Sequence, residues 1–383
     1  MKEKDKYIVF SIVLFVEILA LITFILCGGD MCKNKILCFL GVNAIISIVL
    51  FFILGGANIA INWICGYTGK TVYLSKEDLH YKYKFKSARE IYIDKDVANI
   101  PYKYFSDFEN LQCVVFEGEN TAISPGAFEG CEKLERVYLP SKLEKIRNET
   151  FYGCSNLKSV IIPDSVTSID IITFSGCKNV ETLVIGDGIT SFCGLPIKQS
   201  LKFILIGNGI KRIEYETFKD CINLTTVTIG SGVEEVGVRA FKNCKNLRSV
   251  TIPDNVTRIG KEAFKDCTNL TSVTIGNGVK EIEKDTFSGC KKLETLVIGD
   301  GLTSLDNLPI TKALKSITIG SGVTKIGKQA FKGCEKLANV TFADTNNWFY
   351  TDKNDYTGGT KEILNAEKLR KTHCDKYWYK QQN

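Results

Sequence analysis

An apolar skeleton, Phe-x-x-Cys-x-x-Leu-x-x-Val-x-Ile, returns almost every 23 residues along this chain, and that period limits the available folds more than any other feature. Residues 263–275 show it clearly, from Ala263 through Phe264, Cys267, Leu270 and Val273 to Ile275. The Phe position falls at residues 105, 128, 151, 174, 218, 241, 264, 287 and 331, and Leu195 and Leu308 occupy it after two steps of 21. A fixed period of this length signals a solenoid, because one such repeat buries its apolar face only by stacking on its neighbours.

Each repeat mixes two spacings. Phe264, Cys267 and Leu270 lie three apart, as on one face of a short helical turn, whereas Val273 and Ile275 alternate as on a strand. The Val position predicts twelve strands, at Ile91, Val114, Val137, Val160, Leu183, Ile204, Val227, Val250, Val273, Leu296, Ile317 and Val340. Stacked in parallel at ~4.8 Å, they would build one sheet edge of roughly 55 Å. The segment after most strands is Pro-Asp, as at Pro163-Asp164 and Pro253-Asp254, or Gly-x-Gly, as at Gly230-Ser231-Gly232, and both are turn chemistry. Because no Gly-Lys-Ser/Thr follows, Gly-x-Gly is not a phosphate loop.

The run Val-x-Ile-Pro-Asp-x-Val-Thr-x-Ile-Gly-x-x-Ala-Phe, from Val250 to Phe264, resembles the BspA-like leucine-rich repeats. The resemblance extends over roughly residues 86–343. The aromatic tail, Asn347-Trp348-Phe349-Tyr350 through Tyr377-Trp378-Tyr379-Lys380, is similar to the closing segment of such arrays. It implies an α/β-type repeat fold, a right-handed leucine-rich-repeat solenoid with a parallel sheet. Family members are typically bacterial or protist surface proteins that bind host proteins, matrix or other cells, so the resemblance also implies a protein partner.

Fifteen cysteines would suggest disulfides in a small secreted protein, but Cys131, Cys154, Cys177, Cys221, Cys244, Cys267, Cys290 and Cys334 share one repeat position. That regularity favours a structural ladder of small buried side chains. Disulfide and metal readings are weaker, since no Cys-x-x-Cys occurs and His80 and His373 are the only histidines. No cofactor signature is present. A net charge of +6 spread over 383 residues makes no case for nucleic acid.

Residues 1–65 read as a two-helix membrane hairpin, with apolar runs at 8–27 and 36–54 or slightly beyond. Glu17 is the ionisable residue within the first run, and a hairpin folded near residue 31 places it beside Asn43 and Ser47, where a polar clasp can form. Lys2, Lys4 and Lys6 before the hairpin and Lys70, Lys76, Lys82 and Lys84 after it outnumber Lys33 and Lys35 in its loop. The positive-inside rule then puts the repeats in the cytoplasm, against the extracellular habit implied by the resemblance. Residues 66–90 read as an N-terminal cap, with Tyr81, Tyr83 and Phe85 on one face of a strand; alternatively they form a basic stripe for anionic lipid head groups. The repeats occupy 91–343, and 344–383 form an aromatic C-terminal cap with a short helix from Lys361 to Lys371.

A second-order repeat lies within the array. Thr173-Phe174-Ser175-Gly176-Cys177 returns 113 residues later as Thr286-Phe287-Ser288-Gly289-Cys290, and each copy ends in a shortened coil, at Leu195-Pro196 and Leu308-Pro309. These coils should loosen or bend the rod locally, as spacers or as docking notches.

On each strand, the residue between Val and Ile and the one before Val point away from the core. The first position reads Tyr92, Val115, Tyr138, Ile161, Val184 and Leu205, then Thr228, Thr251, Thr274, Val297, Thr318 and Thr341. The candidate partner-binding surface is therefore Tyr92, Arg136, Tyr138, Ile161, Val184, Phe203 and Leu205, since exposed apolar patches and Tyr and Arg side chains dominate interfaces. The threonine rows resemble a flat ice-binding face, although β-propensity accounts for them. No Ser-His-Asp or Cys-His arrangement and no small-molecule pocket is evident, so no enzymatic activity is expected. The expected role is a membrane-anchored scaffold for a protein partner, with a cell-surface adhesin or a membrane sensor or transport accessory as alternatives.

Overall fold

The computed structural model describes residues 71–170, 172–191, 197–306, 312–328, 330–344, 348–352, 359–362, 367–372 and 375–380. The two expected membrane spans, with Glu17 and Asn43, lie outside these residues. Among the described residues no helix is long and apolar enough to cross a membrane.

Among the described residues thirteen strands follow one another, at steps of 23 or 21 residues after a first step of 19. They are β1 (Thr71–Leu74), β2 (Glu90–Ile93), β3 (Cys113–Phe116), β4 (Arg136–Tyr138), β5 (Ser159–Ile162), β6 (Thr182–Ile185) and β7 (Phe203–Ile206), then β8 (Thr226–Ile229), β9 (Ser249–Ile252), β10 (Ser272–Ile275), β11 (Thr295–Ile298), β12 (Ser316–Ile319) and β13 (Asn339–Phe342). Neighbours pair in parallel, Val position against Val position, as in Val250↔Val273 and Leu296↔Ile317. The ladder is not one sheet, however: β1 to β4 form four strands and β5 to β13 form nine. The coils still touch at the break, where Lys158 N donates to the Glu135 carbonyl at 3.0 Å.

After most long strands and their turns comes a two-residue strand, such as Arg212–Ile213, Glu235–Val236, Arg258–Ile259 and Glu281–Ile282, and these four make a second parallel sheet. The turn ahead of it is glycine-rich for a steric reason. A Cβ on Gly232 would overlap the Asn208 carbonyl of the preceding coil, so the close approach of two coils excludes every side chain there.

The three-residue spacing of Phe, Cys and Leu corresponds to two successive turns. Cys131 N donates to Phe128 O at 3.2 Å and Leu134 N to Cys131 O at 3.0 Å, which brings every third side chain inward. Left-handed residues bracket the Phe: Arg239 (φ 57°) and Asn243 (φ 62°) around Phe241, and Glu262 (φ 56°) and Asp266 (φ 61°) around Phe264. This backbone aims the Phe N–H groups along the rod, where Phe241 N reaches the Ala263 carbonyl at 2.8 Å and Phe264 N the Thr286 carbonyl at 2.9 Å. The turn side is thus stitched coil to coil much as the strand side is, which gives these buried backbone groups their partners.

Inside, the phenylalanines form stacks. Phe105, Phe128, Phe151 and Phe174 follow at 5.0, 5.4 and 5.6 Å between ring centroids, and Phe218, Phe241, Phe264 and Phe287 at 5.2, 5.2 and 5.6 Å. The eight ladder cysteines are buried with free thiols, and they do more than fill space. Six of the thiols donate to the carbonyl of the Phe one coil earlier, among them Cys131 to Phe105 and Cys154 to Phe128, both at 3.1 Å, Cys244 to Phe218 at 3.2 Å and Cys267 to Phe241 at 3.3 Å. Cysteine fits because it is small and apolar yet carries one weak donor. Burial pushes the Cys131 and Cys177 thiols up to about 12 and Cys154 well above its ordinary value.

Residues 192–196 and 307–311 of the shortened coils lie outside the described residues. Across both, the long strands nevertheless keep register, with Leu183↔Ile204 and Leu296↔Ile317. The two-residue loss is therefore absorbed away from the main sheet.

At the N-terminal end, Tyr81 and Tyr83 lie on a 3-10 helix, Glu77–Lys84, and Phe85 follows it, so the expected strand is corrected to β1, Thr71–Leu74. Asp78 shapes this turn by accepting from Ser75 N and Oγ at 3.0 and 2.7 Å, and that hydrogen bonding holds its carboxyl below the usual range. At the other end the expected helix Lys361–Lys371 gives way to a strand, Thr360–Lys361, and a π-helical turn, Lys368–Thr372. Here the strands Trp348–Thr351 and Tyr377–Lys380 run antiparallel, and the latter pairs with Lys325–Ile326 of the last coil. Trp348 and Trp378 are both buried. The antiparallel pairing stops the solenoid from offering that edge to another coil.

Candidate functional site: the outward face of the main sheet

Two rows of side chains stand on the outward face, and the strand register decides which of them meet. Ile161, Val184 and Leu205 occupy consecutive positions on β5, β6 and β7, followed by Thr228 on β8. All three apolar side chains are half-buried. In the parallel row Thr182, Phe203 and Thr226 are neighbours, and Phe203 is 48% exposed. The four residues Ile161, Val184, Phe203 and Leu205 are thus one contiguous apolar group within the nine-stranded sheet.

The other three candidates belong to the four-stranded sheet. Tyr92, Val115 and Tyr138 are in register across β2, β3 and β4, and Arg136 is in register with Cys113. Arg136 and Tyr138 are half-buried. Tyr92 is a correction to the expected exposed stripe: it is 5% exposed, with the ring of Tyr73 stacked on it at 5.1 Å. Cys113 and Val115 beside it are buried too. β1 is the strand that the sequence reading missed, although Val72-Tyr73-Leu74 repeats the Val-x-Ile rhythm and pairs Val72 with Ile91.

From β8 to β10 the face is hydroxylic, and Val297 interrupts it on β11. Thr226 and Thr228, then Ser249 and Thr251, are exposed on consecutive strands. A rail of exposed ion pairs borders the face two residues ahead of the Val position, with Lys158–Glu135 at 2.8 Å and Lys202–Glu181 and Lys315–Glu294 at 2.7 Å. Such pairs contribute at most ~1 kcal/mol each and serve mainly to keep this border polar.

The strongest electrostatic feature lies on the turn side and was not anticipated from sequence. Glu262, 8% exposed, accepts from Lys242 at 2.8 Å, Arg239 Nε at 2.9 Å and Lys265 at 3.3 Å. Hydrogen bonds from Lys242 and Arg239 lower its carboxyl to about 2. Arg239 also reaches Glu216 at 3.4 Å and the Tyr215 hydroxyl at 3.3 Å, so the network ties three coils together. The sequence signal was present as charged residues recurring 23 apart at 216, 239 and 262. Among the described residues no group of three or more His, Cys, Asp or Glu side chains is arranged to hold a metal ion.

Among solved structures, the chain is similar to a leucine-rich repeat protein from Bacteroides ovatus, at 25% identity over 64% of this chain and 76% of that one, with a TM-score of 0.35. It is also similar to a leucine rich cell surface protein from Faecalibacterium prausnitzii, at 20% identity over 72% and 84%, TM-score 0.30. A third is the pneumococcal vaccine antigen PcpA, at 21% identity over 66% and 74%, TM-score 0.35. No curated protein matches the chain. The family pattern described as BspA type leucine rich repeat region matches residues 79–194, 197–309 and 310–354 in six copies, and with most of its length so matched the chain belongs to that family.

Proposed function

We propose that this chain is a membrane-anchored scaffold that captures a protein partner on the outward face of its main sheet. Ile161, Val184, Phe203 and Leu205 form the contact, with Arg136 and Tyr138 at its margin. The observation that carries this reading is the register of three apolar side chains on consecutive strands beside an exposed phenylalanine, next to three strands, β8 to β10, whose outward residues are all hydroxylic. Burying such a patch is favourable at ~25 cal/mol per Å². Tyr92, being buried, is left out of the contact. The anchor rests on the apolar runs at 8–27 and 36–54. A leucine-rich-repeat solenoid is typically a non-enzymatic scaffold, and this reading assigns no catalytic step.

A photo-crosslinking residue placed at Phe203 should yield a partner adduct, while the same residue at Thr251 should not. In the crosslinker-bearing chain, Ile161→Lys with Leu205→Lys should remove the adduct and leave the melting temperature unchanged. Persistence of the adduct would show that another face is used.

A second reading, adhesion to host or neighbouring-cell proteins, is favoured by the surface habit typical of the family. Protease treatment of intact cells, followed by detection of a C-terminal tag, separates the two. Loss of the tag puts the repeats outside and favours adhesion, whereas protection followed by digestion after lysis agrees with the cytoplasmic placement that the lysine distribution supports.

A further inference from the structure

The N-terminal end of the solenoid carries a surface unlike that of the repeats. Tyr81, Tyr83 and Tyr102 are 46%, 68% and 61% exposed and gather at this end, whereas the exposed Tyr152, Phe203 and Tyr215 lie in separate coils along the rod. The 3-10 helix Glu77–Lys84 that bears two of them has no buried residue. Lys82 Nζ donates to the Lys103 carbonyl at 3.3 Å, which joins this helix to the Tyr102-Lys103 turn of the next coil as one surface.

Cations interleave with the rings. Lys84 Nζ sits 4.2 Å from the Tyr81 ring centroid and Lys103 Nζ 5.4 Å from that of Tyr102. Between Thr71 and Arg89 five basic side chains face two acidic ones. Of the two acids, Asp78 is occupied by Ser75. Asp107 from the next coil is shared by Lys82, at 2.6 Å, and Lys86, while Lys103 is paired with Glu129 at 2.9 Å. Lys76 and Lys84 are exposed and make no ion pair among the described residues. On the strand border of the repeats, by comparison, Lys158, Lys202 and Lys315 each meet a glutamate on the adjacent coil.

We propose that this end docks on the anionic headgroup layer of a lipid bilayer, with Tyr81, Tyr83 and Tyr102 entering the interface and Lys76 and Lys84 meeting lipid phosphate. Tyrosine suits the headgroup region because its ring is apolar and its tip polar, and lysine near an anionic leaflet is attracted to it. The chain length agrees: five residues separate Cys65, the end of the apolar stretch, from Thr71. Fully extended, that link reaches roughly 20 Å. The docking rests on the anchoring reading above, because the anchor is what holds this end near a bilayer.

The test uses the full chain in phosphatidylcholine vesicles with or without phosphatidylglycerol, pulse-labelled by a membrane-impermeant amine reagent and read by mass spectrometry. Lys280, exposed on a repeat, is the internal reference. Phosphatidylglycerol should slow labelling of Lys76 and Lys84 relative to Lys280 by about fivefold, the population shift that corresponds to the attraction of one lysine to an anionic surface. In the Tyr81→Ser, Tyr83→Ser, Lys84→Glu variant, Lys76 should regain the rate seen without phosphatidylglycerol. A chain that resists carbonate extraction but labels identically in both lipids overturns the docking alone. Equal slowing in both lipids also overturns it, because it would mean protection by something other than lipid charge. A chain stripped from the vesicles by carbonate overturns the anchor and the docking with it.

Discussion

The coils carrying β5 to β7 and those carrying β8 to β10 share one backbone plan and nearly one core, yet they present opposite surfaces. Inward, Val160, Leu183, Ile204, Val227, Val250 and Val273 are all buried. Outward, the first group shows Ile161, Val184 and Leu205, and the second shows Thr228, Thr251 and Thr274. The difference teaches where each constraint acts. A residue facing the core must match the coils above and below it, so the period reasserts itself there every 23 residues. An outward residue needs only to suit a pleated sheet, which β-branched apolar and hydroxylic side chains do almost equally well. Variation along the rod therefore collects on the face where a partner could read it.

The harshest way to break this comparison is to cut the shared core on both sides. Phe151 stacks between Phe128 and Phe174, and Phe264 between Phe241 and Phe287, in near-identical geometry. Phe151→Ala and Phe264→Ala should each cost about 3–5 kcal/mol, as in other buried Phe truncations, measured by denaturant unfolding. Similar losses at the two sites would show that the core is one structure under two faces. A loss below ~1 kcal/mol at either site would mean that its stack collapses around the gap and that the halves differ inside as well.

A gentler separation comes from acid. Glu262 lies beneath the threonine half, and its carboxyl is lowered from 4.5 to about 2 by Lys242 and Arg239. A group with a depressed folded-state pKa contributes stability that is fully present above its unfolded value and is lost as pH falls through its folded value. The contribution of Glu262 should thus persist above about 4.5 and fade between there and about 2. In Glu262→Gln the melting temperature should vary less with pH across that window than in the parent chain. Two curves of identical slope would mean that the three-coil network adds nothing to stability.

The fold was legible because its causes repeat. A Phe, a Cys and a Leu three apart, followed by a Val-x-Ile pair, specify the turns, the stacks and the strand register, and the structure pairs those strands Val against Val. What escaped reading was local and did not repeat. Thr71–Leu74 lacks the Phe and Cys that mark later coils, so β1 was hidden even though its Val72-Tyr73-Leu74 follows the rhythm. The burial of Tyr92 could not be foreseen without that strand. The cysteine ladder was legible as packing but not as hydrogen bonding, because the acceptor for six of its thiols is a backbone carbonyl 26 residues earlier. The apolar group was legible residue by residue, whereas the break that parts Tyr138 from Ile161 depends on strand pairing that composition does not reveal.

The smallest expected change in stability gives the sharpest reading of the faces. Thr228 and Thr251 are exposed and their neighbours on the face are themselves hydroxylic, so Thr228→Leu and Thr251→Val should each shift stability by no more than ~0.5 kcal/mol, as surface substitutions usually do. Thr228 follows Leu205 in register, so these changes lengthen the apolar row from three strands to five. If the partner recognises apolar area on a flat sheet, a photo-crosslinking residue at Ser249, exposed on the same strand and expected to give no adduct in the parent chain, should give one in this variant, with melting unchanged. If recognition depends on the detailed shape around Phe203, the longer row adds no adduct, and the contact is confined to β5–β7. An adduct from position 251 in the parent chain would instead show that the hydroxylic half binds as well, and the division of the sheet into a binding face and a neutral one would fall.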